Sequence, residues 1–129
     1  MCENTSNKKS NTSELGRLGE AAACRYLRRK GFKISARNWR CRLGEIDIVA
    51  HDGPDLVFIE VKTRRRVSAQ RSVFDNITAA KTAKLRQLAY MYLSRYRRKP
   101  PPHRIDIVAV LLDPEMNTPP AIEHIKAAV

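Results

Sequence analysis

Residues 44–62 read GEIDIVAHDGPDLVFIEVK, and this stretch decides the fold. Polar and apolar residues alternate on both sides of a turn-forming group, His51, Asp52, Gly53 and Pro54. A period of two marks a strand with distinct faces, and a short Gly-Pro turn between two such runs makes a hairpin. In the first run Glu45 and Asp47 are expected on one face, with Ile46 and Ile48 on the other. In the second, Glu60 and Lys62 share a face, while Val57, Ile59 and Val61 share the opposite one. With the turn at 51–54, Asp47 falls nearly opposite Glu60, about 5 Å away between Cβ atoms as cross-strand neighbours are.

Working outward, residues 32–39 read as a preceding strand and 40–44 as a basic turn, so three strands form an antiparallel meander. Upstream, Leu15, Leu18, Ala22 and Tyr26 recur at helical spacing. The spacing predicts a helix over 14–30, capped by Ser13 with Glu14 in its first turn and stopped by Gly31. Downstream, residues 63–75 (TRRRVSAQRSVFD) lack periodicity and read as a basic loop. Asp75 or Asn76 can cap a second helix over 77–96, with Leu85, Leu88 and Tyr92 inward. Three prolines at 100–102 exclude helix there. A strand over 104–112 and a short one over 122–125 complete the order αβββαβ with a β addition. That order implies an α/β fold, a mixed central sheet flanked by helices, with the later strand returning by a crossover.

The chain has 129 residues, of which 43% are hydrophobic, enough for one core. Residues 1–13 are too polar to repay ordering and are expected to be a flexible tail, leaving 14–129 as a single domain. The 25 Lys and Arg against 13 Asp and Glu give a formal charge of +12, which points to a polyanionic partner, nucleic acid before a membrane surface. Cys2, Cys24 and Cys41 form no CxxC or zinc-like pattern and read as reduced thiols. No apolar run approaches the roughly 20 residues of a membrane span, and the start lacks the apolar core of a secretory signal. The expected setting is cytoplasmic, with no membrane partner.

Carboxylates gathered on one sheet face repel each other unless a cation sits among them. Oxygen ligands suit Mg²⁺ or Mn²⁺, and Mg²⁺ commonly uses one or two carboxylates together with substrate phosphate. Asp47 and Glu60 are the expected metal ligands, with the Val61 carbonyl as a third. Lys62 lies beside them, where an ammonium can orient water or neutralise charge growing on a phosphate. These are the needs of phosphodiester hydrolysis. The competing reading is a solvated ladder pairing Glu45 and Asp47 with Lys62, worth about 0–1 kcal/mol per exposed pair. Glu45 either lines the metal or pairs with Arg40 or Arg42, the pairing being favoured. Asp106 is expected to pair structurally with Arg104. Phosphate contacts are expected from Arg40 and Arg42, from Arg64, Arg65, Arg66 and Arg71, and from Lys81 and Lys84. Trp39 reads as core rather than a stacking platform. His51, His103 and His124 show no spacing that suggests a site.

The stretches GRLGEAAA (16–23), NWRCRLGEID (38–47), FIEVKTR (58–64) and RIDIVAV (104–110) together closely resemble the YraN family, bacterial proteins classed as predicted endonucleases. The resemblance covers about residues 14–112. It implies a restriction-endonuclease-like αβββαβ core of the PD-(D/E)XK type, similar to archaeal Holliday junction resolvases. It also implies an active site of Glu20, Asp47, Glu60 and Lys62. The Pro of the superfamily's Pro-Asp pair is absent, since Ile46 precedes Asp47. Two functions follow as expectations. One is a metal-dependent endonuclease acting on DNA, with branched substrates suggested by the resolvase likeness and single-stranded DNA also compatible. The other is a non-catalytic nucleic-acid-binding module that retains the nuclease fold. RNA remains open as a ligand. A homodimer is compatible with junction cutting, although no feature marks an interface.

Overall fold

A computed structural model of the chain describes residues 14–66, 78–113, 115 and 117–129. The tail, the Ser13 cap, Cys2, Arg71 and the proposed caps Asp75 and Asn76 lie outside the described residues.

The first helix, α1, spans Glu14–Arg29. Its end follows the chain chemistry expected of Gly31, which sits at φ 94°. The Gly31 N–H donates to the Arg28 carbonyl and the Phe32 N–H to the Leu27 carbonyl, both at 3.0 Å. This paired closure satisfies the last carbonyls, and Phe32 and Leu27 enter the same apolar cluster. The buried stripe is Gly19, Ala22, Ala23, Cys24 and Leu27. Leu18, expected inside, is 37% exposed, while Leu15 and Tyr26 pack at the margin. The inward face is rotated because Gly19 and Ala23 let the helix approach the sheet more closely than Leu18 could. Truncating Leu27, which is fully buried, to Ala costs about 2–5 kcal/mol.

Five strands follow: β1 (Lys33–Cys41), β2 (Gly44–Asp52), β3 (Asp55–Arg65), β4 (His103–Leu112) and β5 (Ala121–Ile125). They form one sheet in the order β1-β2-β3-β4-β5. The first three make the expected antiparallel meander, with Asp52 opposite Asp55 across the Gly53–Pro54 turn. The chain then crosses through the second helix, α2 (Ala79–Leu93), so that β4 returns parallel to β3. β5 closes the edge antiparallel to β4. Thr78 caps α2, accepting the Lys81 N–H at 3.1 Å, and Ser94 ends it before the expected residue 96.

Two apolar clusters divide the sheet between the helices. Ile48, Ala50, Val57, Ile59, Val108 and Val110 pack with α1, while Val49, Leu56, Phe58 and Ile105 pack with Leu85, Leu88 and Tyr92 of α2. Trp39 is core, set edge-on to Tyr92 at 5.2 Å. Val57, Ile59 and Val61 share the α1 side, as their alternation requires. Ile46 and Ile48 do not share a face: Ile48 joins the α1 cluster and Ile46 the α2 cluster. Strict alternation fails there because β2 leaves β3 at Ile48, and because Asn38 on the paired strand adopts a left-handed φ of 53°. Asn is among the few residues that tolerate that conformation.

β3 also runs further than expected. Arg64 and Arg65, read as loop residues, extend the strand opposite Leu111 and Leu112. Among the described residues no helix is long and apolar enough to cross a membrane.

Candidate metal and phosphate site

β2 pairs with β3 only from Ile48 to Asp52. Beyond that point β2 continues against β1 alone and β3 against β4 alone. The sheet therefore forks, and Asp47 of β2 and Glu60, Val61 and Lys62 of β3 lie at the fork. The Val61 N–H, which would otherwise need a carbonyl of β2, donates to Asp47 Oδ2 at 2.8 Å. In an extended strand the N–H and C=O of one residue project to the same side. The Val61 carbonyl thus sides with its N–H, toward Asp47.

The two helices supply the remaining groups. α1 brings in Glu20, held by a hydrogen bond to the Asn38 side chain and close enough to Glu45 and Glu60 to feel both charges. Gly19 makes this approach possible, since a Cβ there would lie 2.6 Å from Thr63 Cγ2, deep inside contact distance. α2 brings in Lys81, whose Nζ is 3.5 Å from Glu60 Oε2. Lys84 lies along Gly44, its Cε 3.5 Å from where a Cβ would stand.

The electrostatics carry the marks of crowding. The Asp47 carboxyl is pushed well above its ordinary 3.8, first by burial, then by Glu60, with Glu20 and Glu45 adding to it and the Val61 N–H opposing it. The residue as a whole is partly exposed, so its carboxyl is hemmed in by protein although its neighbourhood opens to solvent. Glu20 is raised by burial and by Glu45. The Lys62 ammonium is lowered by burial and by the charge and hydrogen bond of Lys81.

Glu20, Asp47, Glu60 and Lys62, expected together, are thus brought together. Glu45 takes the expected pairing, with its Oε1 2.9 Å from Arg40 Nη2. Arg40 is thereby tied to one of the acids. Arg42, Arg64, Arg65 and Arg66 are exposed, and Lys84 flanks the site, whereas Lys81 already contacts Glu60. Among the described residues no three His, Cys, Asp or Glu side chains form a ready-made metal cluster. The oxygen donors present are two carboxylates and a main-chain carbonyl, a set that suits a hard cation completed by water and phosphate.

Two sets of residues escaped the sequence reading. Asn38 has a detectable signal, an Asn inside a strand, which favours left-handed backbone. The other set surrounds Asp106, whose pairing with Arg104 was expected. Asp106 is fully buried and accepts Arg104 Nε at 3.0 Å and the Ala127 N–H at 2.9 Å. His124 Nε2 meets its other oxygen at 2.8 Å, and His124 Nδ1 meets the Tyr26 hydroxyl at 3.0 Å. A carboxylate only accepts, so Nε2 carries the proton and Nδ1 accepts from Tyr26. Only the β4–β5 register reveals that alignment.

The model of an uncharacterised protein family, UPF0102, matches residues 19–110. The chain is similar to a UPF0102 protein of Renibacterium salmoninarum, 45% identical over 113 residues, covering 88% of this chain and 93% of the relative. It is similar to one of Arthrobacter sp., 45% identical over 112 residues, covering 87% and 92%. A third, from Symbiobacterium thermophilum, is 46% identical over 101 residues, covering 78% and 85%.

Proposed function

The chain belongs to UPF0102, the YraN family that its motifs resemble, and we propose that it is a metal-dependent endonuclease hydrolysing phosphodiester bonds of DNA. The observation that carries the proposal is the Asp47 carboxyl, anchored on the Val61 N–H and crowded by Glu60, Glu20 and Glu45. Such crowding is unfavourable by itself and becomes favourable around a cation. The residues fit Mg²⁺ or Mn²⁺, with Asp47, Glu60 and the Val61 carbonyl as its holders. When bound, the ion supplies Lewis-acid stabilisation of phosphate charge and a lowered pKa for water.

The chain's own residues do the rest. Lys62 stands beside the acids, where its amine orients a water or offsets charge on the phosphate. Glu20 closes the site from α1 and holds a proton or a positive group. Arg42, Arg64, Arg65 and Arg66 bind backbone phosphates, which fixes register without choosing sequence. Branched DNA is the favoured substrate on the resolvase likeness alone.

A second reading, nucleic-acid binding without cutting, draws on the Lys81–Glu60 pair, in which an ammonium already offsets one acid. Incubation with labelled flap, junction and single-stranded DNA plus Mn²⁺ separates the two. Cutting that disappears in Asp47→Asn, Glu60→Gln and Lys62→Ala supports the nuclease. Tight binding with no cutting in Mg²⁺ or Mn²⁺, unchanged by those substitutions, supports the module and removes the nuclease reading.

A further inference from the structure

At the other end of α2 from Glu60 lies a cleft of about 550 Å³, lined by Arg86, Tyr90, Leu93, Ser94, Pro100 and His103. Its size is that of a small-ligand site, typically about 300–1,000 Å³. One wall is stiff: Pro100, Pro101 and Pro102 have fixed φ, and the Pro102 carbonyl accepts the Leu56 N–H at 2.8 Å. The other wall is helical, with Arg86, Tyr90 and Ser94 four residues apart on one stripe.

Two features of this cleft set it apart. Tyr90 is 70% exposed, the most exposed large hydrophobic side chain described. Nothing in the core needs it there. The helical side is also cationic: the sequence between Thr78 and Ile105 contains no Asp or Glu, while Arg104 at the opposite wall is paired with Asp52, Asp55 and Asp106. The segment joining the lining residues Ser94 and Pro100 carries Arg97, Arg98 and Lys99, all exposed. An exposed aromatic ring one helical turn from a guanidinium, next to the exposed run Arg97–Lys99, is what an unpaired base and its phosphates require.

We propose that this cleft is a second nucleic-acid subsite that takes a single-stranded DNA segment, stacking a base on Tyr90 while Arg86, Arg97 and Arg98 hold phosphates. The proposal rests on the nuclease reading for its substrate class and adds where the strand is anchored away from the cut. Lys81 and Tyr90 are about 14 Å apart along the α2 axis, from the rise per residue. That span matches about four stacked nucleotide steps. The subsite favours substrates with an unpaired strand near the cut, since the bases of a continuous duplex are stacked on each other.

The test measures anisotropy of a fluorescein-labelled oligothymidylate and of a blunt hairpin duplex with the full chain in EDTA. Tyr90→Ala is expected to weaken oligothymidylate binding about ten-fold, with duplex binding changed less than about two-fold. Tyr90→Phe keeps the stacking surface and is expected to bind as the unmodified chain does. Arg86→Ala is expected to lower the salt slope for the single strand by about 0.7, one phosphate contact. Because Tyr90 is largely in solvent, an unchanged Tm accompanies the loss. Equal losses on both probes, or single-strand affinity unaltered by Tyr90→Ala, overturn the subsite, as does an unmodified chain that binds neither probe. Loss in Tyr90→Ala with no cutting under any metal keeps the subsite and removes the nuclease. Cutting that depends on Asp47 with no Tyr90 effect does the reverse.

Discussion

Asp47 Oδ2 accepts the backbone N–H of Val61 at 2.8 Å, so a side chain stands where the sheet ladder would have supplied a carbonyl. The contact holds β2 to β3 across the fork and aims an acid into it. It also fixes Asp47 beside Glu60, whose charge the isolated chain must tolerate.

Asp47→Asn keeps an oxygen for the Val61 N–H and removes the repelling charge. Without divalent metal the variant is expected to melt a few degrees above the unmodified chain. With Mn²⁺ added, only the unmodified chain gains Tm, because binding to the folded state stabilises it. DNA cutting is expected to fall by more than about a hundred-fold, the scale on which charge-stabilising groups act. Calorimetry with and without Mn²⁺ checks this, and an Asn variant that gains as much from the metal as the unmodified chain contradicts the ligand assignment.

Lys81→Ala should remove the ammonium that competes for Glu60. The pair is partly exposed on the lysine side, so its worth is modest, about 0.2–1 kcal/mol. Mn²⁺ affinity is therefore expected to rise by roughly 1.4- to 5-fold, the same energies expressed as ratios. Isothermal titration decides, and weaker metal binding in the variant would show that Lys81 supports the site instead of competing with it.

Gly19→Ala places a methyl against Thr63, the residue after Lys62. α1 must lift, carrying Glu20 with it. Overpacking of this kind costs about 1–3 kcal/mol. Denaturant melts are expected to show that loss, and Thr63→Ala in the same chain to recover part of it. Additive losses in the double variant would mean that the two positions do not touch.

Asp106 governs the acid limb of stability. Burial alone would raise its carboxyl, but hydrogen bonds from His124, Arg104 and the Ala127 N–H outweigh burial and hold it below the ordinary 3.8. A depressed carboxylate contributes stability that is present in full above the unfolded value and fades as pH falls through the folded one. The unmodified chain is thus expected to lose stability steeply below about pH 4. Asp106→Asn removes the buried carboxylate from Arg104, which keeps Asp52 and Asp55, and turns one acceptor oxygen into a donating amide that faces other donors, so about 1–3 kcal/mol is expected to be lost near neutrality. Its stability should then vary less with acid, and urea melts across roughly pH 2–7 check this, a parallel pair of curves meaning that Asp106 does not set the acid limb.

The helices and strands were legible because each carries its own period. The helical spacing of α1, the 51–54 turn, the Gly31 stop and the proline break at 100–102 all act over a few residues. Local pattern fails where tertiary neighbours override it. Leu18 looked inward by spacing, yet Gly19 sets how α1 meets Thr63. Ile46 and Ile48 looked alike, yet the strand leaves its partner between them.

By itself the sequence determined an αβββαβ order, a strong net positive charge and a hairpin whose two strands carry Asp47 and Glu60, since alternation and charge are local properties. Only the tertiary structure decided that the sheet splits beyond Ile48, that Asn38 turns left-handed to hold Glu20, and that His124 completes the Asp106 cluster. Those contacts join residues far apart in the chain, and their existence depends on strand register and on how closely a helix can approach, neither of which any short window of residues encodes.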